Sequence, residues 1–82
     1  MSSKQTLQSN VTDTNGRVLG VMATQIEFFN NQPYEITHAG QTFYATGKTG
    51  EHIASKRRTL EAATDQDARL WITLDGLQIW ED

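Results

Sequence analysis

The chain has no cysteine. A disulfide framework, a thiolate metal site and a cysteine nucleophile are therefore excluded. Two histidines far apart in sequence, His38 and His52, are too few for a structural zinc site, so neither a metal nor a cofactor is expected. No run approaches the roughly 18 consecutive apolar residues of a membrane-spanning helix, and the polar opening Met1-Ser2-Ser3-Lys4-Gln5 lacks the apolar stretch of a signal peptide. The expectation is a soluble, cytoplasmic protein with no membrane partner. Charge of one sign is also scarce: a net charge of −3 over 82 residues does not force expansion, and a hydrophobic content of 37% is enough to fold. Eighty-two residues make one small core, and self-association as a homodimer would relieve its shortage.

What is present is rich in threonine and in turn signals. Residues 1–16 contain only Leu7 and Val11 as internal large apolar side chains and read as a flexible arm or an edge strand, with residues 17–82 forming a single globular domain. Asn15-Gly16 either closes a hairpin onto the segment after Arg17 or simply starts that domain. Residues 17–29 fit a helical stripe through Leu19, Met22, Ile26 and Phe29, but Gly20 and the β-branched content favour a strand, which ends at the single proline, Pro33.

Beyond Pro33, Tyr34, Ile36 and His38 alternate with Glu35 and Thr37, turn at Ala39-Gly40 and alternate back through residues 41–46. This hairpin sets Ile36 opposite Phe43 and Tyr34 opposite Ala45 on the core face, with Glu35 opposite Tyr44 and Thr37 opposite Thr42 on the other. Gly47-Lys48-Thr49-Gly50 then breaks the strand. The Ala, Leu, Glu, Lys and Arg content of residues 51–63 predicts a short helix with a thin apolar stripe of Ile53 and Leu60. In the last segment Asp75-Gly76 is a type I′ turn signal that sets Trp71 directly opposite Trp80 beside Thr73 and Gln78, with Leu70, Ile72, Leu74, Leu77 and Ile79 on the reverse face. The fold expected is α+β: a small antiparallel sheet of four or five strands carrying a β-hairpin, one short helix and a C-terminal β-hairpin. The alternative is a small open β-barrel in which residues 53–62 become a strand.

Several motifs dissolve under scrutiny. Gly47-Lys48-Thr49 between strand and helix imitates a phosphate loop, but the position that must be glycine is Thr42, and Asp75 sits in a hairpin turn. A weaker anion site remains, from Lys48 and the free amides at the helix start. His38 and His52 read as solvent-exposed, and the acidic pairs Asp65/Asp67 and Glu81/Asp82 lack calcium-loop spacing and read as solvated. Asn10-Val11-Thr12 matches a glycosylation acceptor that is silent without secretion. No nucleophile, metal cage or acid–base pair emerges, and an enzyme is not expected.

Two surfaces carry functional readings. Trp71, Trp80, Thr73 and Gln78, extended by Tyr44 if the two hairpins adjoin, would form an aromatic sheet face, and aromatic rings concentrate binding energy at interfaces. On this reading the protein is a small non-enzymatic protein-binding module of adaptor or inhibitor type, or a self-associating one. The bland alternative covers that face with the helix. The second surface is the basic cluster Lys48, Lys56, Arg57 and Arg58, which against Glu51 leaves residues 48–58 at net +3 while residues 59–82 stand at −5. With Tyr44 it would bind an anion or single-stranded nucleic acid, although the overall acidity runs against a nucleic-acid footprint.

Overall fold

The computed structural model describes residues 2–53 and 56–81. Among these lie seven strands in ring order: β1 Ser2–Thr12, β2 Val18–Phe29, β3 Gln32–His38, β4 Gln41–His52, β5 Arg57–Ala63, β6 Arg69–Thr73 and β7 Gln78–Glu81. Sequential neighbours pair antiparallel, and β1 and β7 close the barrel in parallel. The α+β expectation, with four or five strands and a helix, is overturned: the described residues contain no helix. The barrel alternative also needs correction, because the ring is closed rather than open and its strand begins at Arg57.

The segment expected to be helical fails for a physical reason. Helix propensity is a weak local preference that tertiary pairing overrides. Here Arg57–Ala63 lies between β4 and β6, which use its backbone groups on both sides. Thr59, Leu60, Glu61 and Ala62 are buried in succession, a pattern of burial on both strand faces that one helical stripe cannot provide. Ile53, the supposed core residue of the helix, is 92% exposed. Ala54 and Ser55, within the same expected helix, lie outside the described residues, as do Met1 and Asp82. Residues 47–50 do not end a strand either, since β4 continues through them to His52.

Turn chemistry sets the register where it is strong. Ala39 and Gly40 both adopt positive φ, and the pairs Ile36↔Phe43, Glu35↔Tyr44 and Thr37↔Thr42 are those the sequence predicts. Trp71↔Trp80 and Ile72↔Ile79 likewise match, although Gly76 does not take the positive φ of a type I′ turn. Asn15-Gly16 belongs to a hairpin loop, and residues 2–12 form β1, paired with β2 along its length and with β7 at residues 10–12. That loop is built around Asp13, whose Oδ1 accepts the amides of Asn15 and Arg17 at 2.9 Å. Thr64 Oγ1 repeats the device in the β5–β6 loop, accepting from Gln66 and Ala68.

Pleat alternation gathers Ile26, Ile36, Phe43, Ala62, Leu70, Ile72 and Ile79 inside the ring, with Leu7, Phe28, Ala68 and Leu77 packed against them. The closing seam is short: among the described residues, Asn10↔Gln78, Val11↔Ile79 and Thr12↔Trp80 join β1 to β7. At one end the interior is polar, and at the other an apolar mouth runs between Leu7, Phe28, Pro33, Leu74 and Leu77.

Candidate functional site

A bulge in β4 builds one side of an open surface groove. Three residues, 46 to 48, stand between the pairs Ala45↔Ala62 and Thr49↔Leu60, where β5 supplies only Glu61. Gly47 takes the positive φ this requires, and Thr46 Oγ1 staples the irregularity by donating to the Glu61 carbonyl and accepting the Lys48 amide. Bulges bend and twist a strand. The far end of β4 brings the His52 ring onto Trp80, with centroids 4.3 Å apart and planes within 9° of parallel. Residues 48–53, Thr14, Thr59 and Trp71 then line an open groove of about 460 Å³.

This arrangement changes the aromatic face expected from the sequence. Trp71 and Trp80 are register partners, but Trp80 is 0% exposed and Thr73 is buried, while Gln78 and Trp71 are half-buried. The pair is not an open face; it is covered on the Trp80 side by the His52 ring at the end of β4. Tyr44 does not extend it, because it is exposed beside residues 64–68 in a separate groove. What the structure does bring together is Trp71 with Lys48, two residues belonging to different sequence signals. Lys56, Arg57 and Arg58 are exposed along the same hairpin, with Arg57 paired to His52 and Arg58 to Glu51.

Both histidines depart from the exposed reading. His52 stacks on Trp80, and His38 is 1% exposed. His38 lies in a hydrogen-bonded chain that crosses four strands. Its Nε2 lies 3.1 Å from Glu81 Oε1, and its Nδ1 lies 3.0 Å from Thr24 Oγ1. Thr24 Oγ1 in turn lies 2.9 Å from Ser9 Oγ, which donates to the Met22 carbonyl at 3.0 Å. Because a carboxylate only accepts, Nε2 carries the proton shared with Glu81. The order hydroxyl, imidazole, carboxylate is that of a hydrolase triad, yet Thr24 and Ser9 have essentially no exposed surface for a substrate to reach. The chain is a strut that ties β1, β2, β3 and β7 together at the polar end of the barrel. A signal for it existed in the sequence: His38 shares strand parity with Ile36, so a core Ile36 carries His38 inward. Glu81 stands in an acidic C-terminal pair that by itself signals only solvation, and its partner lies too far away in sequence for spacing to show.

At the other end of β3, Tyr34 packs edge-on against Phe29, with centroids 6.2 Å apart. Hydrogen bonding to Glu27, followed by desolvation and the Glu27 charge, holds the Tyr34 phenol above its ordinary value of 10.0. A raised folded-state value favours the fold while the phenol is neutral, so this contribution is complete below pH 10.0 and lost as pH rises through the folded value. Glu27→Ala, made in a Tyr44→Phe background so that one phenol reports, is expected to lower the phenolate titration midpoint; an unmoved midpoint would remove Glu27 as the cause.

Among the described residues no group of three or more His, Cys, Asp or Glu is placed to hold a metal ion, and no helix is long and apolar enough to cross a membrane. No protein-family profile, curated protein or solved structure matches this chain.

Proposed function

We propose that the protein is a non-enzymatic protein-binding module that takes an acidic, extended segment of a partner into the groove between Trp71 and the β4–β5 hairpin. The observation that carries this reading is the meeting of Trp71 with Lys48 in one groove, where exposed Arg57 is the register partner of groove-lining His52 and Arg58 that of Glu51, the one carboxylate among the lining residues. A half-buried indole gives an apolar contact of large area with few rotatable bonds, and the cations attract and orient an anionic chain. Single-stranded nucleic acid is the runner-up. It needs successive rings for successive bases, whereas Tyr44 lies in another groove and the His52 ring is stacked on Trp80. The net charge of −3 also opposes a polyanion beyond the local patch. We assign the module to the cytoplasm, since without cysteine it has none of the disulfides that steady small secreted domains.

Tryptophan fluorescence tests the reading, because a ligand in the groove perturbs half-buried Trp71 and leaves buried Trp80 alone. Titration with a short capped peptide of alternating glutamate and leucine is expected to give a saturable change. The double substitution Lys48→Glu, Arg57→Glu should weaken it about tenfold or more, roughly 1.4 kcal/mol. Salt-sensitive binding of an oligothymidylate in place of the peptide would transfer the groove to nucleic acid, and silence toward both would sink the groove as a site.

A further inference from the structure

The barrel leaves half of β2 without a partner on one side. β3 pairs with β2 in backbone register only from Gln25 to Phe29, so among the described residues the backbone of residues 18–24 has a ladder partner on β1 alone and presents a free edge, with Thr24 tied to β3 only through its side chain on His38. Such edges are templates for further strand pairing, and proteins ordinarily blunt them with charge, proline or short length. This edge has none of these devices. It reads Val18-Leu19-Gly20-Val21-Met22-Ala23-Thr24, seven uncharged residues, and Val18, Leu19, Val21 and Met22 are all exposed, Val21 at 61%. The other overhang of the same hairpin is different in kind. Residues 2–9 of β1 also lack a second strand, but they carry Lys4, and their one large apolar side chain, Leu7, packs against the core.

We propose that residues 18–24 are a self-association edge, on which a second copy of this chain pairs antiparallel about a two-fold axis at Val21. The occupant follows from charge and symmetry. An edge met by its own copy sees its own charges, and an edge with none offers no like-charge opposition to such pairing. Centred on Val21, the pairing sets Val21 against Val21 and Leu19 against Ala23 on one face, with Gly20 against Met22 on the other. Every cross-strand pair from Val18↔Thr24 inward is uncharged. Backbone hydrogen bonds supply the attachment and the exposed valine, leucine and methionine side chains supply the burial, so two β1–β2 hairpins form one continuous four-stranded sheet. This surface is separate from the Trp71 groove and stands or falls independently of it.

Light scattering with sedimentation over a range of concentrations reads the outcome on the whole protein. Wild type is expected to shift from monomer to dimer as concentration rises. Val21→Lys and Val21→Glu, each at an exposed position that leaves the barrel core untouched, are expected to remain monomeric with unchanged circular dichroism. An equimolar mixture of the two is expected to recover the dimer, because the two-fold sets Lys opposite Glu. A wild type that stays monomeric at all concentrations overturns the proposal and leaves the edge to a strand from another protein. A dimer that survives both single substitutions overturns it as well, and a mixture that fails to associate overturns the register.

Discussion

Replacing Trp80 with alanine is expected to cost about 3–5 kcal/mol, the range for removing a large buried aromatic side chain. For a domain this small, with a total stability of the order of 5 kcal/mol or little more, that leaves a large unfolded population. Trp80 is fully buried, stacks on His52 and stands on β7 opposite Thr12, at one of the three pairs that close the barrel. Its loss therefore empties the packing between His52 and the β1–β7 seam. The same site tolerates less drastic change. Trp80 Nε1 and Thr12 Oγ1 are buried with no hydrogen-bond partner among the described residues, and Trp80→Phe removes one of these orphans while keeping a ring beneath His52. Its cost is expected to be about 1–2 kcal/mol, a small cavity offset by relief of an unsatisfied donor. Urea unfolding followed by circular dichroism checks both. A Trp80→Ala protein within about 1 kcal/mol of wild type would show that the indole does not hold the seam.

The second large effect is expected at His38. His38→Ala opens a cavity at the polar end and leaves the Thr24 hydroxyl without its imidazole partner, at about 2–4 kcal/mol in all. Glu81→Gln is expected to cost far less, about 0.5–1 kcal/mol, because the Glu81 side chain is 49% exposed and water replaces much of what it loses. A tie carried by the buried imidazole gives this ordering of unfolding midpoints, whereas equal losses from the two variants would mean that the Glu81 carboxylate matters as much to it as His38 does.

The strand pairings around Ala39-Gly40 and Asp75-Gly76 were legible because a short loop between two alternating runs leaves few registers, and a one-residue slip turns every apolar side chain outward. Residues 51–63 misled for the opposite reason. Their composition favours helix residue by residue, but whether a segment becomes strand depends on partners contributed from elsewhere in the chain. The thin stripe of Ile53 and Leu60 already marked a poor helix, since a helix with little to bury has little to hold it on a sheet. Of the candidate site, Trp71 and Lys48 were each visible alone. Their meeting was not, because it depends on a three-residue bulge that swings the end of β4.

The residue pattern alone was enough to exclude disulfides, to pair the two short hairpins as they are, and to turn Ile36, Phe43, Leu70, Ile72 and Ile79 inward. These follow from period-two alternation and turn stereochemistry, which act over a few residues. Closure of the strands into a ring, the meeting of His38 with Glu81, the cover over Trp80 and the bare apolar edge on half of β2 emerge first in the assembled barrel. Closure depends on strand tilt and bending summed around seven strands, and no local stretch of sequence encodes a sum.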